Sequence, residues 1–78
     1  MFYPNPVSRN ESLNYVLMQG IPADNRIQFF DITGRLIRNY KSLPTKIDIS
    51  NFPTGIVIYK MLGANDRALA TGKLYINN

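Results

Sequence analysis

Turn residues interrupt this sequence so often that no helix of ordinary length can be drawn without crossing a proline or glycine or losing its apolar stripe. The runs between these interruptions are short and rich in β-branched and aromatic residues. Their starts recur at about the spacing of strands in a β-sandwich or barrel. The pattern predicts one compact, antiparallel all-β domain.

Six runs are typical of β-strands. They are residues 13–17, 26–31, 36–40, 46–50, 56–62 and 68–76. The run 46–50 alternates polar and apolar residues strictly, as a strand buried on one face does. A further extended stretch at Tyr3–Val7 fits a sheet edge, because proline is tolerated there and not in a central strand. Turns are predicted at 20–25, 42–44, 52–55 and 63–66.

The segment 31–35 predicts a β-hairpin. Asp31 can accept backbone N–H groups at the first position of a type I turn, and Gly34 can supply the left-handed residue of a G1 bulge. This turn pairs residues 27–31 with 35–39. Pro53 and Gly55 occupy the second and fourth positions of a similar turn before the strand that starts at Ile56.

The 78 residues include no cysteine and no histidine. This composition excludes a Cys/His zinc site, a thiol nucleophile and a Ser-His-Asp triad. Three of the five carboxylates, Asp24, Asp31 and Asp66, lie in predicted turns, and Asp48 lies on the polar face of its run. Turn capping is their ordinary role, so we expect no enzyme activity and no cofactor.

Two other sites are open from the sequence. Asp24, Asn25, Asn65 and Asp66 would supply a calcium site if their loops met at one end of the sandwich, although turn formation also explains them. Residues 10–12 match the N-glycosylation sequon, a pattern that is common by chance.

The net charge of +4 suggests nucleic acid or an anionic membrane as a partner. The basic residues are spread over the chain, and only Arg35, Arg38 and Lys41 gather locally, so a solvated surface explains the charge at least as well.

Exposed aromatics could stack on bases, but no RNP1 pattern occurs. Adjacent Phe29 and Phe30 point to opposite faces, so either one is exposed or the strand is buried on both sides. No secretory signal or bilayer-spanning stretch is visible.

Four motifs occur in a fixed order along the chain. They are Tyr3–Pro6, Phe30–Ile37, Ile47–Gly55 and Thr71–Ile76. Together they resemble the type A C-terminal sorting domain of the type IX secretion system, found at the ends of proteins exported by Bacteroidota. The resemblance covers essentially the whole chain. It implies an immunoglobulin-like β-sandwich of about seven short strands, with residues 1–78 forming a single domain excised from a larger exported protein.

The resemblance implies a secretion signal and no catalysis. A cargo domain would precede this segment and reach the periplasm by its own N-terminal signal. The outer-membrane type IX translocon would then recognise the domain, and a sortase-like peptidase would commonly remove it. The cargo would end at the cell surface, often linked to anionic lipopolysaccharide, or in the medium. The resemblance implies no nucleic acid, no membrane insertion and no cofactor.

The resemblance also assigns motif residues. They are Pro4, Asn5, Pro6, Asp31, Gly34, Arg35, Gly55, Gly72 and Lys73, with the terminal Leu74, Tyr75 and Ile76. Asp31, Gly34 and Gly55 are expected to be chiefly structural. Arg35, Lys73 and the terminal strand are the better candidates for partner contact.

Two departures from the family pattern stand out. The tyrosine usual two residues after the late glycine is Val57 here, with Tyr59 two residues further on. The terminal residues 75–78 are less basic and less aliphatic than in many members.

Two other functions fit the sequence. One is an immunoglobulin-like accessory or adhesion domain that binds carbohydrate or spaces other domains, and the other is a small basic nucleic-acid binder. Unpaired edge strands also leave open a dimer formed by strand exchange.

Overall fold

The computed structural model describes residues 2–16, 25–42, 44 and 46–77. These ranges contain seven strands and one short 3₁₀ turn. They are β1 (Phe2–Tyr3), β2 (Val7–Ser8), β3 (Asn14–Tyr15), β4 (Arg26–Phe30), β5 (Leu36–Tyr40), the long β6 (Gly55–Leu62), the turn at Ala64–Asp66 and β7 (Ala68–Asn77). The all-β prediction is confirmed. No helix in the described residues is long and apolar enough to cross a membrane.

The strands form a five-stranded sheet in the order β2-β7-β6-β4-β5 and a two-stranded sheet of β1 and β3. All pairs are antiparallel except β2 with β7, which run parallel with Val7 beside Ile76. The predicted antiparallel arrangement is therefore wrong for this one pair. The stretch predicted as a single edge is two short strands in different sheets, because Pro4 and Pro6 have no N–H groups with which to continue a ladder.

The core lies between the inner face of the large sheet and a second layer. Phe29 of β4 is fully buried, and its ring centroid lies 5.1 Å from that of Phe52. Phe2 of β1 lies 4.6 Å, centroid to centroid, from the edge-on ring of Tyr59 in β6. Other buried side chains of this core include Val7, Leu13, Ile27, Ile47, Ile49, Val57, Leu74 and Ile76. Two packed layers confirm the predicted immunoglobulin-like β-sandwich.

The segment 46–50, predicted as a strand, is not one. Ile47 and Ile49 are buried, and Lys46, Asp48 and Ser50 are exposed, so the alternation assigns the faces correctly. However, Ile47 forms only an isolated bridge with Leu13. The backbone is used locally instead: the Ser50 N–H donates to Asp48 Oδ1 (3.0 Å), and the C=O of Ile49 accepts from the Phe52 N–H (3.0 Å). These turns leave no ladder for a neighbouring strand.

Most other predicted strands are confirmed. The prediction for β5 is correct at both ends, and those for β4, β6 and β7 are correct to within one residue. The predicted run 13–17 contracts to β3 and the bridge at Leu13. Leu17, the part of the first predicted turn at 20–24, and Leu43 lie outside the described residues.

Candidate recognition site

The turn between β4 and β5 is built around one carboxylate. Asp31 Oδ1 accepts the backbone N–H of Thr33 (2.9 Å), the N–H of Arg35 (3.0 Å) and the Thr33 hydroxyl (2.6 Å). Gly34 donates its N–H to the Asp31 C=O and has a φ of +91°. This geometry confirms the predicted turn with a left-handed glycine. The hydroxyl of Thr33, followed by the N–H of Arg35, lowers the pKa of Asp31 below 3.8.

Arg35 extends from this turn into solvent. Its side chain is 83% exposed, and its Nε lies 3.5 Å from Asp31 Oδ2. A surface ion pair of this kind contributes little to stability. The guanidinium can therefore leave this ion pair and bind a partner with little loss of folding stability.

Asn5 joins the opening motif to the last strand. Its Oδ1 accepts the Tyr75 N–H (2.9 Å), and its Nδ2 donates to the Lys73 C=O (3.3 Å). The amide thus does what the backbone of a neighbouring strand would do, just before β2 begins to pair with β7 at Val7. It lies between the cis peptide bonds of Pro4 and Pro6. We call this pair of hydrogen bonds the Asn5 contact.

Gly72 lies where an aromatic ring crosses β7. It pairs with Tyr59 across the sheet, and a Cβ at Gly72 would meet the Oη and Cζ atoms of the Tyr59 ring. A side chain would overlap the ring, so glycine is required by packing. The alternation of residues 68–76 shows that Gly72 faces inward, but only the register identifies its partner. Val57, the departure from the family pattern, is a fully buried core residue.

Gly55 opens β6 with a φ of +103°, a conformation that favours glycine. The prediction that this glycine begins the late strand is confirmed. The hydrogen-bonded turn that precedes it lies three residues earlier than the predicted 52–55, since the Phe52 N–H donates to Ile49.

The strand order brings the motifs to one end of the large sheet. Gly55 faces Ile76 across β6 and β7, and Phe30 faces Ile58, which faces Lys73. The end of β4, the start of β6 and the end of β7 therefore coincide. We call this the motif end of the sheet.

The motif end has a buried and an exposed set of residues. Leu74 and Ile76 point into the core, whereas Lys73 and Tyr75 point outward. Leu36, next to Arg35, lies three strand spacings from Lys73, roughly 15 Å. Arg35 and Lys73 therefore do not form a compact basic pair.

The other sequence candidates have ordinary structural roles. Asp66 forms an ion pair with Arg26. Asp24 of the suggested calcium site lies outside the described residues, and the part of the chain that the structure describes has no group of three His, Cys, Asp or Glu residues that could hold a metal ion. Phe29 is buried and Phe30 is half-buried, so neither alternative for this pair holds as stated: the strand is buried on one face and partly covered on the other.

Comparison with known proteins identifies the family. No curated protein matches the chain, and no solved structure matches it. The family model described as the secretion system C-terminal sorting domain matches residues 1–77, essentially the whole chain. The chain therefore belongs to the C-terminal sorting domains of type IX secretion, a membership that implies export to the cell surface or medium and interaction with the secretion machinery.

Proposed function

We propose that residues 1–78 are the sorting domain of a larger exported protein, that the outer-membrane type IX translocon recognises this domain in the periplasm, and that a sortase-like peptidase then removes it. The observation that carries the proposal is the meeting of the family motifs at one end of a single sheet. A partner that contacts this end reaches residues of the central and terminal motifs together, and the Asn5 contact ties the opening motif to the same strand.

The motif residues divide into two roles in this proposal. Asp31, Gly34, Gly55 and Gly72 set the shape of the motif end through the turn, the strand start and the ring contact described above. Arg35, Lys73 and Tyr75 supply contacts to the partner, because all three side chains are exposed. Leu74 and Ile76 contribute indirectly, since they are buried and fix β7 in the sheet.

The Asn5 contact explains how the opening motif takes part without touching a partner. Pro4 and Pro6 bring the chain across from one sheet to the other, and Asn5 holds the backbone of Lys73 and Tyr75. A cargo domain joined on the N-terminal side would enter through β1 in the two-stranded sheet, before the chain crosses to β2 and β7. Recognition therefore depends on the folded domain and not on the terminal residues alone.

The test is export of a reporter. A periplasm-directed fluorescent protein is fused to the N-terminal side of the chain and expressed in a host with a working type IX system. We expect the reporter on the surface or in the medium, with its mass reduced by loss of the domain. In a host strain without the translocon, we expect it in the periplasm.

The positive control is the same reporter fused to an authentic sorting domain. Retention of the test fusion in the periplasm while the control fusion is exported would refute the proposal. Export without loss of mass would refute the peptidase step alone.

A further inference from the structure

The outer face of the large sheet is more apolar than a solvated face needs to be. An antiparallel sheet with one solvated face ordinarily carries polar residues there. Here Leu36 is 48% exposed, Tyr75 45% and Ile56 38%. Ile58 stands between Phe30 and Lys73 in one cross-strand row. We call the apolar group on this face the outer strip: Phe30, Leu36, Ile56, Ile58 and Tyr75.

The outer strip crosses four neighbouring strands at the motif end. Leu36 faces Phe30, Phe30 faces Ile58, and Ile56 faces Tyr75, so the side chains are contiguous in register. The strip spans roughly 15 Å across the strands. Phe30 and Ile58 are half-buried and the other three members are exposed. A contiguous apolar surface that is partly open to solvent marks a docking site on a small domain more often than scattered apolar residues do.

The charges around the outer strip have one sign. Lys73 stands beside Ile58, and Lys60 Nζ lies 5.8 Å from the Phe30 ring centroid. None of the described strands carries an acidic residue. Two loop carboxylates are engaged elsewhere, Asp31 in its turn and Asp66 with Arg26. The face therefore offers two ammonium groups that no neighbouring strand residue neutralises.

This arrangement favours a protein over other anionic partners. Two cations give a salt slope of only about −2 on nucleic acid, far below that of a dedicated binder. On an anionic lipid surface, each lysine strengthens binding only about fivefold. A second copy of the chain would set lysine against lysine, which is repulsive. An apolar centre with a charged margin is instead the arrangement of a protein interface.

We propose that the outer strip is the docking surface of the domain, and that it takes a protein surface with apolar side chains at its centre and carboxylates opposite Lys60 and Lys73. The proposal rests on the proposed function in one respect, since the partner is then a component of the type IX export machinery. The carboxylates orient the partner and speed its encounter, and the apolar contact keeps it bound.

The test uses the reporter fusion in the competent host with paired variants. Lys60→Glu with Lys73→Glu is expected to lower the exported fraction at least about tenfold, because the two introduced carboxylates would repel the carboxylates of the partner. Ile56→Thr with Ile58→Thr is expected to lower it several-fold, since threonine keeps the β-branched shape and loses apolar area. Lys60→Arg with Lys73→Arg, which keeps both charges, is expected to lose much less export than the glutamate pair.

The matched control is Lys41→Glu with Lys46→Glu, which changes the net charge equally at exposed residues outside the strands. It is expected to leave export within about twofold of wild type. Thermal unfolding of each purified variant checks the fold. If the double glutamate variant unfolds at a lower temperature than wild type, Lys60→Gln with Lys73→Gln replaces it. The export of this variant is then compared with that of the Lys41→Glu, Lys46→Glu control.

The outcomes separate the two proposals. An unmodified fusion that stays in the periplasm overturns both. An unmodified fusion that is exported, together with folded outer-strip variants that are exported as well as the control variant, overturns the docking surface alone.

Discussion

The Asp31 turn and the Asn5 contact use the same chemistry over very different distances along the chain. In both, the oxygen of a short side chain accepts at least one backbone N–H group, and Asn5 also donates its amide N–H to a backbone C=O. The bonds of Asp31 reach no further than four residues, to Arg35. Those of Asn5 reach 68 and 70 residues, to Lys73 and Tyr75. A short motif can therefore be a complete local structure or one half of a tertiary contact, and its sequence alone does not distinguish the two.

Among the motif residues with long-range contacts, substitution of Gly72 should reduce the free energy of unfolding most. Gly72→Ala is expected to destabilise the chain by about 2–3 kcal/mol, because the added Cβ overlaps a Tyr59 ring that Phe2 backs. The measurement is the free energy of unfolding in urea.

The control for Gly72 is Thr71→Ala, an exposed neighbour on the same strand, which should change stability by less than about 0.5 kcal/mol. In the background of Tyr59→Leu, the cost of Gly72→Ala should fall. Equal stability of Gly72→Ala and wild type would show that the Tyr59 ring moves aside without cost. Gly72 would then not be a position that a long-range contact fixes.

Asn5 should show an intermediate effect. Asn5→Ala loses two hydrogen bonds and is expected to cost about 1–2 kcal/mol. Asn5→Asp keeps the acceptor for the Tyr75 N–H but sets a carboxylate oxygen against the Lys73 C=O, so it should not restore the stability of wild type. Hydrogen exchange of the Tyr75 amide should accelerate in the alanine variant.

The Asp31 turn provides the internal reference for that measurement. The Gly34 amide should exchange at the same rate in Asn5→Ala as in wild type, because its bond to Asp31 is local. Faster exchange at both amides would mean that the two regions are coupled and that the contrast between them is false.

Substitution of Asp31 should change the free energy of unfolding least, and the change should depend on pH. Its pKa is lowered in the folded chain, so its carboxylate stabilises the fold above 3.8 and this contribution is lost as the pH falls through the lowered value. Asp31→Asn keeps an oxygen acceptor without the charge. The variant should therefore lose less stability than wild type between about pH 6 and about pH 2.5.

The measurement is the urea midpoint of both chains at the two pH values. Some dependence should remain in the variant, because the backbone N–H of Ser50 lowers the pKa of Asp48 as well. Identical curves for the variant and wild type would show that the turn does not use the charge of Asp31.

The local features were the ones that the sequence could predict. The Asp31–Arg35 turn and β5 follow from turn residues and strand propensity within a few positions. The strand prediction at 46–50 is wrong because a strand needs a distant partner. Alternation correctly predicts that Ile47 and Ile49 are buried, but it does not predict a neighbouring strand for them to pair with.

The candidate site could be predicted only as separate pieces. The motif residues could be named from the resemblance, but their meeting at one end depends on strand order and register. The parallel pairing of Val7 with Ile76 and the overlap of Tyr59 with Gly72 depend on the same information. Single-sequence patterns carry little of it, because register is set by contacts between distant residues.

The position of β7 links the fold to the order in which a ribosome makes the chain. β7 is synthesised after the other six described strands, yet it lies inside the sheet between β2 and β6. A chain that stopped before Ala68 would leave β6 open on one side, β2 without a neighbour and Asn5 without its two bonds. The finished sheet therefore reports that translation has passed residue 77, so a receptor for its shape would reject truncated products.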